Sequence, residues 1–282
     1  MSSSPVWQRW EGSAGALAVH DVIAAGTAGA QRGLVVVSHG LPSDKAPAGF
    51  IPSSLVALSD RIASETGWRV VACCLRGVEP SEGDFSLEGW LDDLRRVKDK
   101  AVVDTAIANG DEHPPDPLEH PAGDLGAGDL GTGGVGPWLV GIGTSGALAM
   151  RLAATDQTVR GVACLSAPAT FSEWADDPAG IAVHAREVGV LSTPGAPPDL
   201  AAWARPFREV QPLADARRLR GRPVLVMHGA EDDLVPVEHA REIAEAVGDS
   251  AELRILAGAS NRLNSDPRAV ALLLGWLDRQ RL

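Results

Sequence analysis

The chain has 282 residues, 45% hydrophobic and 22% charged, a length and composition that fit one sizeable globular core. A formal net charge of −12 argues against nucleic acid or an anionic membrane as partner, because both need clustered Lys and Arg. No apolar run approaches the roughly 18 residues of a membrane span.

Residues Met1-Ser2-Ser3-Ser4-Pro5 lack the basic segment and apolar stretch of a secretory signal, so a cytoplasmic protein is expected. Residues 16–24 predict an antiparallel edge hairpin. From Gly33 onward strands and helices alternate. A strand is predicted over 34–38, a helix over 54–65, a strand over 68–75 and an amphipathic helix over 85–108. A strand beginning at Trp138 leads through a tight turn into an alanine-rich helix. Strands follow over 161–165, 223–228 and 252–256, with helices over 237–247 and 267–281. Apolar strands alternating with helices imply a mostly parallel sheet covered on both faces.

Two stretches interrupt the pattern. Residues 109–136 are rich in Gly, Pro and acids and contain no Lys or Arg, which predicts a flexible surface loop. His113 and His120 lie there beside acidic residues, but their spacing fits no ligand pattern, so no metal is expected. Residues 168–219 hold two helix-like pieces, 179–190 and 199–210, and predict a small helical lid between two core strands. Phe171, Trp174, Trp203 and Phe207 either line a pocket beneath that lid or pack it onto the core. The organisation is therefore a core of residues 1–167 and 220–282 with the lid at 168–219. Cys73, Cys74 and Cys164 fall in apolar strand-like runs and are expected to be buried free thiols.

The motifs stand at the ends of successive strands. Val37-Ser38-His39-Gly40-Leu41 closes the first, Leu75-Arg76-Gly77 the second, and Gly141-Ile142-Gly143-Thr144-Ser145 the third. His228-Gly229-Ala230-Glu231-Asp232-Asp233-Leu234-Val235-Pro236 follows the strand after the lid, and Gly258-Ala259-Ser260-Asn261 the last strand. In this order they resemble the α/β-hydrolase family, in particular its serine peptidase and esterase-like branch with a helical lid, over residues 33–282. The resemblance implies a mostly parallel sheet with helices on both faces. It also implies a nucleophile elbow, normally G-x-S-x-G, at the third strand.

Carried over residue by residue, Gly143 takes the nucleophile position, Asp232 the acid position and Asn261 the base position. Asp233 is the neighbouring carboxylate, offset by one. Glycine offers no nucleophile, and a neutral amide is not a usable base near pH 7. The family's oxyanion donors map to the backbone N–H groups of Leu41 and Thr144. His39 and His228 read as structural residues. A second register, Gly143-Thr144-Ser145-Gly146-Ala147, makes Ser145 the nucleophile, although Asn261 would still leave it without a base.

The reading that follows is a pseudo-hydrolase that binds a small molecule or a protein partner in a lidded pocket, with no cofactor. The alternatives are a lyase or isomerase using non-triad chemistry, or a hydrolase using Ser145, Thr144 or a remote histidine.

Overall fold

The computed structural model describes residues 7–23, 33–43, 49–111 and 136–280. Residues 112–135 of the predicted loop, His113 and His120 among them, lie outside the described residues. Strands β1 (Gln8–Gly12) and β2 (Gly15–Val22) form an antiparallel hairpin. Then come β3 (Leu34–Ser38), α1 (Phe50–Thr66), β4 (Arg69–Cys74), α2 (Leu87–Ala108), β5 (Pro137–Ile142), α3 (Thr144–Thr155) and β6 (Gly161–Leu165). Five short helices follow: α4 (Ser172–Asp176), α5 (Pro178–Glu187), α6 (Leu200–Ala204), α7 (Pro206–Glu209) and α8 (Pro212–Arg218). The chain closes with β7 (Val224–Gly229), α9 (Glu238–Val247), β8 (Ala251–Leu256) and α10 (Pro267–Asp278).

Among the described residues the strands make one eight-stranded sheet in the order β1-β2-β4-β3-β5-β6-β7-β8. The six strands from β4 to β8 in that order run parallel, and β1 and β2 are antiparallel. The edge hairpin differs from the predicted one. Its outer strand β1 is built from residues before Ala16, and β2 lies inside the sheet against β4. The outer strand was missed because only Trp10 of its five residues is buried, which leaves almost no apolar signal.

Side chains alternate across the sheet with a period of two, and this divides the core into two layers. Val36, Val71, Leu139, Val162 and Val226 face α2, α3, α8 and α9. Val35, Val70, Val140, Ala163 and Met227 face α1 and α10. The same alternation sends Cys73 and Cys74 to opposite faces, so these neighbours cannot pair. All three cysteines are buried and free. Burial pushes the thiols of Cys74 and Cys164 up to about 12, so neither offers a thiolate at neutral pH.

The helix ends follow local chemistry. Ser86 caps α2 by accepting from the N–H of Gly89 at 3.0 Å. Asp266 caps α10, whose first residue is Pro267. The predicted helix 199–210 is two helices, because Pro206 cannot continue the ladder begun in α6. Arg76 after β4 is clamped to the buried Asp93 of α2, with Nη2 2.6 Å from Oδ1. No helix among the described residues is long and apolar enough to cross a membrane.

Candidate functional site

The turn between β5 and α3 is the sharpest feature of the sheet's carboxyl edge. Gly143 sits at its apex with φ 54° and ψ −126°, a conformation that L-residues rarely adopt. Its N–H donates to the Leu165 carbonyl at 2.7 Å, and its own carbonyl accepts from Gly146 at 2.9 Å. Gly141 and Gly146 let the strand and helix cross closely. A Cβ on Gly141 would lie 2.4 Å from the Ser145 carbonyl oxygen, and one on Gly146 2.7 Å from Ala167 Cβ. Gly141 therefore belongs inside β5 for a packing reason.

The loop after β3 runs against this turn. A Cβ on Gly40 would meet the Ile142 carbonyl at 2.9 Å and the Thr144 nitrogen at 3.1 Å, so only glycine fits. The Leu41 N–H reaches the Thr144 hydroxyl at 3.4 Å, a long contact that a ligand oxygen can replace. Leu41 and Thr144 thus lie side by side, at a helix N-terminus whose dipole favours negative charge.

Ser145 is placed differently from a nucleophile. It is fully buried in the first turn of α3, its hydroxyl donates to the His39 carbonyl, and it does not line the cavity. This burial argues against the nucleophile role that the second register gives Ser145.

His39 is also structural. Its Nε2 accepts from the Leu75 N–H at 2.9 Å, so Nδ1 carries the proton and donates to the Gly40 carbonyl at 2.9 Å. Burial pulls its pKa down to about 4, with the Gly40 carbonyl opposing. Protonation would place a second N–H against Leu75. Since the pKa falls from 6.5 to about 4 on folding, the unfolded chain takes the proton first as pH drops. The stability contribution is therefore complete above pH 6.5 and is lost as pH falls toward 4, about 3 kcal/mol in all. His39→Gln should flatten the pH dependence of the urea-unfolding free energy across this window. A variant with the same slope as the parent would remove His39 from the account.

Asp232 lies in the turn after β7, with its side chain fully buried beside that of His228. Oδ1 accepts from the N–H groups of Leu234 at 3.0 Å and Val235 at 2.9 Å. Oδ2 is 3.2 Å from Nε2 of His228, which lies 2.8 Å from the Val235 carbonyl and donates its proton there. Burial disfavours the charged carboxylate, but the nearby His228 ring and the hydrogen bonds from the N–H groups of Val235 and Leu234 outweigh it and hold the group below the usual carboxylate range. Asp233 is exposed.

A cavity of about 480 Å³ opens where these loops converge. Gly40 and Leu41 after β3, Gly143 and Thr144 after β5, Ser166 after β6, Val235 after β7 and Asn261 after β8 all line it. Such a crevice at the carboxyl ends of parallel strands is where α/β sheets place their ligands. Gly143 and Asn261 therefore share one cavity, whereas Asp232 is not on its wall. Phe171, Trp174, Ile181 and His184 of the segment between β6 and β7 form the facing side.

Hydrogen bonds tie that segment to the core on more than one side. Asp84 accepts from the N–H groups of Ser192 at 2.7 Å and Thr193 at 3.1 Å, and Trp203 donates to the Phe85 carbonyl at 2.9 Å. On the other side His184 donates to the Pro42 carbonyl at 2.9 Å. Of the four aromatic residues singled out in the sequence, Phe171 and Trp174 line the cavity. Trp203 and Phe207 meet edge to face at 5.0 Å between ring centres and support Trp174 and Phe85 from behind.

No family model and no curated protein matches the sequence. Solved structures do match. Est1E from Butyrivibrio proteoclasticus superposes with a TM-score of 0.61 at 16% identity, over 97% of this chain and 96% of that one. The esterase domain of a Rhodothermus marinus protein gives 0.61 at 17% identity, over 98% and 96%. An alpha-beta serine hydrolase homologue from Coxiella burnetii gives 0.55 at 16% identity, over 99% of both chains. This chain has the α/β-hydrolase fold.

Within that fold the elbow, the neighbouring Leu41 and Thr144, and the cavity were all legible as motifs. Two cavity histidines were not. His184 on α5 and His239 on α9 line it and belong to none of the motifs. A lone histidine on a helix carries no local pattern, so no sequence signal marked them. Among the described residues no cluster of three or more metal-ligating side chains occurs.

Proposed function

We infer that this hydrolase-fold chain binds a small molecule in the cavity beneath a helical lid, residues 168–219, and does not perform triad hydrolysis. The observation that carries the reading is Gly143 at the apex of the elbow, a nucleophile position without an oxygen. Asn261, across the same cavity, has no basic nitrogen. The ligand that suits these walls has an apolar body and a carbonyl or carboxylate oxygen. The body packs against Phe171, Trp174 and Ile51, and the oxygen meets the N–H groups of Leu41 and Thr144. The free buried cysteines accord with a reducing, cytoplasmic setting.

A fluorophosphonate probe tests the reading directly. The expected result is no added mass on the intact protein and no burst of product from an activated ester. Stoichiometric labelling mapped to Ser145 or Thr144 would overturn it. The second reading, an enzyme using non-triad chemistry, is favoured by His184 and His239 on the cavity wall.

A further inference from the structure

Hydrogen bonds fix the tautomer of each cavity histidine. Nε2 of His184 lies 2.9 Å from the Pro42 carbonyl oxygen, which can only accept, so Nε2 carries the proton and Nδ1 keeps its lone pair. Nδ1 of His239 accepts from the Ala169 N–H at 3.0 Å, so its proton is on Nε2. Neither Nδ1 of His184 nor Nε2 of His239 has a hydrogen-bond partner among the described residues. Neither is among the buried polar atoms left without a partner, so both are accessible on residues that line the cavity. One wall thus offers a proton acceptor and another a proton donor, in a cavity that also exposes Leu41 and Thr144 at a helix N-terminus.

We propose that the cavity performs proton transfer at carbon, with His184 as general base and His239 as hydrogen-bond donor. The substrate class is a small, largely apolar compound with an acidic C–H next to a carbonyl. The proposal rests on the ligand-site reading above. In the step, the C–H bond breaks and its proton moves to Nδ1 of His184. The electron pair left on carbon forms the C=C bond of an enolate, and the carbonyl oxygen takes the negative charge. The N–H groups of Leu41 and Thr144 and the Nε2–H of His239 are the donors for that oxygen. Return of the proton from His184, on the same face, to a carbon conjugated with the first restores the carbonyl compound as its positional isomer. No nucleophile, oxidant or reductant takes part, which suits an elbow built on glycine. The Pro42 carbonyl orients the His184 ring and stabilises the imidazolium that forms.

The ring opening of 5-nitrobenzisoxazole reports such a base without the natural substrate. Removal of its ring C–H proton forms a nitrile as the N–O bond breaks, and a coloured nitrophenolate is released. The isosteric 5-nitroindazole has no such bond to break, so its binding, measured by calorimetry, reports the cavity alone. The parent is expected to bind 5-nitroindazole and to open the benzisoxazole at least about 100-fold faster than free imidazole at equal concentration. His184→Gln keeps a donor for the Pro42 carbonyl but has no base. It should lose about 100-fold in rate with 5-nitroindazole affinity unchanged. His239→Gln should lose about tenfold, the worth of one hydrogen bond to a developing charge. Binding without acceleration would overturn the base proposal and leave the ligand site standing. So would acceleration that survives in His184→Gln, or that is lost instead in Glu173→Gln, the carboxylate at the cavity mouth. Failure of 5-nitroindazole to bind would overturn the ligand-site reading and the proposal together.

Discussion

A chain carrying Gly143→Ser together with Asn261→His is expected to hydrolyse 4-nitrophenyl acetate about 10²- to 10⁴-fold faster than the parent. The site has room for the change. A Cβ built on Gly143 meets only the Cα of Gly40, at 3.5 Å, an ordinary contact. Position 261 lines the same cavity, as do the neighbouring Leu41 and Thr144, the proposed donors to an oxyanion. Asp232 remains charged at neutral pH, since its hydrogen bonds hold it below the usual carboxylate range. The single variants should gain little, because nucleophile and base act as a unit. With φ at 54°, serine at 143 should cost about 1–3 kcal/mol in stability. Rates for the parent, both singles and the double variant decide the matter, with circular dichroism to verify folding. A folded double variant at the parent's rate would mean that Asp232 does not reach a base at 261, or that the elbow does not present its side chain to the cavity.

Gly141→Ala is expected to be far more damaging than Gly143→Ala, although the two glycines are two residues apart. At 141 the new methyl lies 2.4 Å from the Ser145 carbonyl oxygen and 2.6 Å from Gly146 Cα, and both are backbone atoms that cannot swing aside. Strand β5 and helix α3 would have to separate, at a cost of about 3 kcal/mol or more. At 143 the methyl makes only an ordinary contact with Gly40 Cα and meets the strain of positive φ, about 1–3 kcal/mol. Urea-unfolding midpoints separate the cases. Gly141→Ala should be strongly shifted or recovered only as insoluble protein, and Gly143→Ala soluble and modestly shifted. Equal shifts at both positions would contradict the close crossing of strand and helix.

Much of the fold was legible in the sequence because parallel strands buried on both faces leave unbroken apolar runs. Strands β3 and β6 match their predicted limits, 34–38 and 161–165, for that reason. Helix α1 begins at Phe50, four residues before its predicted start, because Gly49 rather than a side-chain cap opens it. Helices α4 and α8 were missed, since pieces this short hold their shape through the neighbours they touch.

By itself the sequence determined the alternation of buried strands and helices, the glycine turn at 143 and the identity of the residues at 143, 232 and 261. These are local properties, carried by apolar periodicity and by residue types at fixed offsets from a strand end. Only the tertiary structure decided that Ser145 is sealed beneath the His39 carbonyl, and that Asp232 faces His228 rather than the cavity. It alone brought His184 and His239 to one cavity in fixed tautomers. The reason is physical. A hydroxyl's partner and an imidazole's proton are set by the atoms packed against them, here the carbonyl of Pro42 and the N–H of Ala169, far from each histidine along the chain.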